Sequence, residues 1–152
     1  MKIGYVTDVE GNLEYFRRYV ATSQVLTENA AGELSLCDDS YFVYGGDVID
    51  KGPGDVRLCR RLAALKRNNP GRVFLLVGNR DLNKLRLPSE LDSRPRVPHW
   101  DPTVKPYDCT PDTRANRLRW LLMHTLGCPD TFEFRRTELR ELGLGHADDD
   151  VV

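Results

Sequence analysis

The chain is predicted to be α/β, a parallel βαβαβ sheet with flanking helices and a C-terminal helical hairpin. Three observations carry this. Short apolar runs alternate with amphipathic stretches in the first 78 residues, which is the order of a parallel sheet with right-handed crossovers. Three of the runs end in acids, amides and glycines: "YVTDVEGN" (5–12), "VYGGDVIDKGPGD" (43–55) and "LLVGNRDLN" (75–83). Finally, two helix-like segments with their own start and stop signals close the chain.

In order, "IGYVT" (3–7) reads as a buried strand, and "LEYFRRYVA" follows with Leu13, Phe16 and Val20 at helical spacing. "QVLTENAAGELSLC" (24–37) gives two short alternating runs around a turn at "NAAG", a hairpin. "SYFVYGG" (40–46) is the second core strand. "DVRLCRRLAALKRNN" (55–69) sets Val56, Cys59, Leu62, Ala63 and Leu65 near one helical face and stops before Pro70 and Gly71. "RVFLLVG" (72–78), apolar on both faces, is expected as a central parallel strand.

The 88–111 stretch holds six of the nine prolines and is expected as a long surface loop, either flanking the site or simply connecting. "TPDTRANRLRWLLMHTLG" (110–127) is expected to start with Thr110 as cap and Pro111 at the first helical position, and to stop at Gly127. "PDTFEFRRTELRELG" ends at Gly143, and "GCPD" joins the two helices. Trp120, Leu121, Phe132 and Phe134 on this hairpin read either as core or as a partner-docking face. The expected division is 1–87 for the βαβαβ core, 88–110 for the proline-rich loop, 111–143 for the helical hairpin and 144–152 for a tail that stops abruptly.

At 152 residues there is material for one sizeable core. A net charge of −1, with 40% hydrophobic and 30% charged residues, provides no global attraction to a nucleic-acid duplex or an anionic membrane. No apolar run approaches the roughly 20 residues of a membrane span. "MKIGYVTD" lacks the apolar centre of a signal peptide, and Cys37, Cys59, Cys109 and Cys128 are scattered without a Cys-x-x-Cys pair. A cytoplasmic location is the expectation.

Ligands of parallel sheets bind beyond the carboxyl ends of the strands, so Asp8, Asp47 and Asn79 are expected on one rim. Singly, each acid also fits a structural role, Asp8 for instance as a helix cap. Together with Glu10, Asp50 and Asp81 they crowd like charges that need a cation or basic groups to offset them. Oxygen donors of this kind suit hard divalent ions, which polarise a phosphate and activate water.

The blocks "DVEGN" (8–12), "GDVIDKG" (46–52) and "GNRD" (78–81) resemble, in order, the three N-terminal motifs of the calcineurin-like metallophosphoesterases, Asp-x-His-Gly-Asn, Gly-Asp-x-x-Asp-Arg-Gly and Gly-Asn-His-Asp/Glu. The resemblance covers roughly residues 1–87. It implies half of an αββα sandwich, a phosphoester hydrolase of the phosphoprotein phosphatase or diadenosine tetraphosphatase type, and two divalent ions, manganese first, with magnesium, iron or zinc as alternatives. It implies Asp8, Glu10, Asp47 and Asn79 as metal ligands, Asn79, Arg80 and Lys51 at phosphate, and Arg80 and Asp81 as catalytic residues. A phosphorylated protein or nucleotide is the implied substrate.

The departures from the family pattern carry their own chemistry. Glu10 stands where the family has a histidine ligand, which favours manganese or magnesium over iron or zinc. Arg80 stands where the family has the motif histidine. It either pairs with phosphate or forms an ion pair with Asp81 or Glu10 that balances a metal-free site, but it cannot readily deliver a proton. Lys51 replaces the usual arginine and either meets phosphate or is solvated. Only His99, His124 and His146 are available for the family's later histidine ligands, and none sits in a matching motif. The expectation is therefore a chain that lacks its C-terminal half, with a catalytically inactive phosphate- or partner-binding protein as the alternative.

Overall fold

A computed structural model describes residues 1–92, 108 and 110–145. His99, Cys109, His146 and most of the proline-rich stretch lie outside the described residues. The chain divides after Leu82 into two units, each taken by itself below.

In the first unit, strands β1 (Lys2–Val6), β4 (Ser40–Tyr44) and β5 (Val73–Leu75) form one parallel sheet in the order β1-β4-β5. Helix α1 (Leu13–Thr22) and a two-stranded antiparallel hairpin, β2 (Leu26–Glu28) and β3 (Leu34–Leu36), lie between β1 and β4 in sequence. Helix α2 (Asp55–Asn68) connects β4 to β5. The predicted β-α-hairpin-β-α-β order is what is found.

Local chemistry accounts for these elements. The Asn12 side chain caps α1 by accepting the Tyr15 N–H at 3.0 Å, so the cap is Asn12 and not Asp8, which leaves Asp8 at the rim. The hairpin turn is held by Asn29, whose side-chain oxygen accepts the N–H groups of Ala31 and Glu33. In α2 the buried stripe is Leu58, Leu62 and Leu65, a single i, i+4, i+7 row, whereas the expected Cys59 is exposed on its flank.

Successive residues of β4 alternate between the two faces of the sheet. Ser40, Phe42 and Tyr44 are buried, and Phe42 and Tyr44, with Val6 and Val73, join Phe16 and Val20 of α1 and the α2 leucines in one core. On the opposite face the register aligns Ile3 with Tyr41, and Tyr5 with Val43 and Phe74. There Ile3, Tyr5 and Phe74 are 64%, 60% and 45% exposed.

The expectation for 72–78 needs correction. β5 has only three residues and is an edge strand, and Phe74, Leu75, Leu76 and Val77 are exposed. Its apolar run reflects one face beneath α2 and one open face, which composition alone does not distinguish from a central strand.

In the second unit, α4 (Leu87–Asp92) follows a short 3-10 turn, so the start of the expected loop is helical. Pro88 sits in the first turn of α4, where its missing N–H has no intrahelical partner to lose. The hairpin helices are α5 (Arg114–His124) and α6 (Thr131–Glu141). The α5 cap is Thr113, whose side chain accepts the Asn116 N–H at 3.2 Å, rather than the expected Thr110, and Pro111 precedes the helix. Leu122, Leu126, Cys128 and Phe132 form the core of this unit, packed by Leu87 and Leu118, and the Arg119 guanidinium stacks on Phe132 at 4.5 Å. Leu121 and Phe132 are buried, which assigns them to core packing. Among the described residues no helix is long and apolar enough to cross a membrane.

Candidate metal centre

The segments after β1, β4 and β5 meet at the carboxyl ends of the strands. The first two are zipped together by backbone hydrogen bonds: Asp8 N–H to Gly46 C=O, Glu10 N–H to Asp47 C=O, Gly11 N–H to Val48 C=O and Lys51 N–H to Glu10 C=O. Asp81 ties the third segment in. Its carboxylate accepts the N–H groups of Asp47 at 2.8 Å, Val48 at 3.0 Å and Gly78 at 2.9 Å. The Asp47 side chain returns the link by accepting the Arg80 N–H at 2.9 Å.

Close approach explains two of the glycines. A Cβ on Gly78 would lie 2.0 Å from Asp47 Oδ1, and one on Gly46, whose φ is +102°, would lie 2.4 Å from the Gly78 nitrogen. The acids between them are held in an uncommon backbone state: Asp8, Glu10 and Asp47 have φ of 53°, 48° and 54°. Non-glycine residues in the left-handed region concentrate at functional sites, where the surrounding structure holds them in place. Here the backbone zipper and the Asp81 clamp do the holding.

Carboxylate oxygens of Asp8, Glu10 and Asp47 lie within 4.8 Å of one another. Opposite oxygens around a hard divalent ion stand about 4–5 Å apart, twice a metal–oxygen bond, so this donor set fits one such ion. Asp47 is buried, and the Thr7 hydroxyl donates to Asp8 Oδ2 at 2.6 Å. Asn79 opens the short helix α3 (Asn79–Asn83) and is exposed at the same rim.

The basic residues turn inward. Arg80 Nε meets Glu10 Oε1 at 2.9 Å and a second guanidinium nitrogen meets Asp50 Oδ2 at 3.2 Å. Lys51 reaches both Glu10 oxygens, at 3.0 and 2.8 Å. Of the partners expected for Arg80, Glu10 is found. Asp50, expected at the rim only as one of its crowded carboxylates, is 2% exposed at its side chain and is the second partner of Arg80. Its signal was present as the second aspartate of "GDVIDKG". His124 ends α5 and is exposed, with its ring 5.3 Å from that of Trp120.

Tyr44 couples the first two segments from below. Its hydroxyl accepts the Val9 N–H at 3.3 Å and donates to the Asp47 carbonyl at 3.5 Å. Burial pushes its ionisation well above the ordinary tyrosine range, opposed by the Val9 hydrogen bond and reinforced by Asp81. An unfolded tyrosine ionises near pH 10 while the folded one keeps its proton, so stability should fall as pH rises past about 10. Tyr44→Phe is expected to lose about 1 kcal/mol at neutral pH and to flatten that alkaline decline. Urea melts of both proteins at neutral and alkaline pH check this, and parallel declines would refute it.

A search against curated proteins and a search against solved structures return no match. The family model for calcineurin-like phosphoesterases matches residues 1–146, which extends the likeness past the three motifs and through the helical hairpin. With a parallel sheet whose strand ends gather the three motifs around a carboxylate cluster, the chain belongs to the calcineurin-like phosphoesterase family.

Proposed function

We propose that the chain is a metal-dependent phosphoester hydrolase whose substrates are phosphorylated proteins or nucleotides, with manganese as the preferred ion and a cytoplasmic place of action. The observation that carries this reading is the Asp8–Glu10–Asp47 carboxylate cluster at the strand ends of a chain of this family. When bound, a divalent ion there supplies Lewis-acid polarisation of the phosphate and acidifies water. Asp8, Glu10 and Asp47 hold the ion, and the exposed amide of Asn79 is placed to orient a phosphate oxygen. Arg80, partly exposed at the edge of the cluster, offsets charge on the transferring group and is the catalytic residue of this reading. Asp81 spends its carboxylate on three backbone N–H groups, so it is a positioning residue. Lys51, committed to Glu10, steadies a ligand rather than the substrate.

Arg80 keeps its proton throughout the accessible pH range, so it gives no acid assistance to the leaving oxygen. Esters with good leaving groups should therefore react best. With Mn²⁺, p-nitrophenyl phosphate is expected to turn over about 100-fold or more faster than a phosphoserine peptide, the usual worth of a general acid, and a chelator should stop both. Equal rates on the two esters would show that another group donates the proton.

One observation favours a second reading. Glu10 is already paired with two cations, as in a site balanced without metal, and such a protein would bind phosphorylated partners without hydrolysing them. Phosphate binding that survives chelator would support it.

A further inference from the structure

The first unit also carries a cavity of about 540 Å³ walled by α1, α2 and the β2–β3 hairpin. None of Asp8, Glu10, Asp47, Asn79 and Arg80 lines it. Its charged lining is Arg17 of α1, Arg57, Arg60 and Arg61 of α2, and Glu28 and Glu33 of the hairpin and its turn. Positions 57, 60 and 61 follow the i, i+3, i+4 spacing of one helical face, and Arg17 reaches the same cavity from α1. Four cations against two anions leave a surplus of two positive charges, on a chain whose net charge is −1.

The two glutamates leave much of this charge unmatched. Glu28 pairs with Arg61 at 3.0 Å, while Glu33 accepts the Asn29 side-chain N–H at 2.8 Å. Arg17 and Arg60 are exposed and make no hydrogen bond or ion pair among the described residues. Arg61 lies over the Phe16 ring at 5.5 Å, and its buried Nε has no hydrogen-bond acceptor among the described residues. Arg57 donates to the Pro53 carbonyl at 2.9 Å and keeps its charge. Like charges gathered around one cavity repel, and an anion seated among them offsets that repulsion.

We propose that this cavity binds a small organic phosphate, at a site separate from the metal centre. Guanidinium groups match phosphate oxygens in pairs, and the surplus of two positive charges matches a phosphate dianion. The volume is that of a small-molecule site, more than a bare phosphate fills. Leu13 and the buried Leu34 supply apolar wall for the organic part of the ligand.

The test is calorimetric titration with phenylphosphonate, a dianion with an apolar ring and no ester bond to hydrolyse, in the presence of a chelator. Wild type is expected to bind one equivalent, more tightly than inorganic phosphate. Arg17→Ala and Arg60→Ala, both at exposed positions, should each weaken binding by about 10-fold or more, the usual worth of a charge-assisted contact, with unchanged thermal melts. Arg80→Gln should bind as wild type does, which separates this cavity from any phosphate held at the rim. No binding in wild type, unchanged binding in both cavity variants, or loss in Arg80→Gln would overturn the proposal. Inorganic phosphate binding as tightly as phenylphosphonate would overturn its ligand class. Because the metal centre is stripped throughout, each of these failures leaves the metal-dependent reading standing.

Discussion

Asp47→Asn is expected to lower Mn²⁺ affinity by more than about 100-fold and to abolish turnover of p-nitrophenyl phosphate, while the fold persists. Groups that merely orient a ligand are worth about 10–100-fold in metal affinity, and Asp47 is a buried member of the donor set itself. Asparagine keeps the shape of the side chain and one oxygen for the Arg80 N–H, and it tolerates the left-handed backbone at this position. What it removes is the charge. Calorimetric titration with Mn²⁺ alongside a thermal melt separates a lost ligand from a lost fold. Undiminished binding in the variant would place the metal elsewhere.

Asp81→Ala should act through architecture instead. Three backbone N–H groups from two strand ends lose a charged acceptor at once. Charge-assisted hydrogen bonds are worth about 1.5–3 kcal/mol each, and they are not additive within one carboxylate, so a total near 2–4 kcal/mol is expected. For a domain of this size that corresponds to a melting temperature lower by roughly 10 °C. Metal affinity should fall too, because the Asp47 backbone is what Asp81 holds. Denaturant melts and Mn²⁺ titration of the variant test both parts. A stability loss with unchanged affinity would show that the Asp47 carboxylate is placed by its own segment alone.

Much of the first unit was legible because period and punctuation agreed. The β4 strand, the α1 face of Phe16 and Val20, and the turn at Asn29 are each signalled within a few residues of sequence. The three motifs pointed to the rim where the carboxylates of Asp8, Glu10 and Asp47 come together. What escaped depends on tertiary placement. Whether "RVFLLVG" is central or marginal is decided by whether a second strand pairs along its other edge, which its own apolar residues do not reveal. The α5 cap moved from Thr110 to Thr113 because two threonines compete and the backbone at Thr113 is extended. Asp50 lies within its motif, yet its partnership with Arg80 spans 30 residues and becomes visible only once β4 and β5 are neighbours.

The left-handed backbone at Asp8, Glu10 and Asp47 also governs how mutational scans of this rim should be interpreted. Alanine at Asp8 or Asp47 would report two losses together, a missing ligand and a conformational penalty unrelated to chemistry. A β-branched replacement would exaggerate the second until it masked the first. Asparagine, at home in that region, is the neutral probe that isolates the ligand at Asp8 and Asp47. At Glu10 it also shortens the side chain, so Glu10→Gln serves there, since its backbone preference matches that of the residue it replaces. A scan built on these choices measures coordination, and the difference between it and an alanine scan measures the conformational penalty itself.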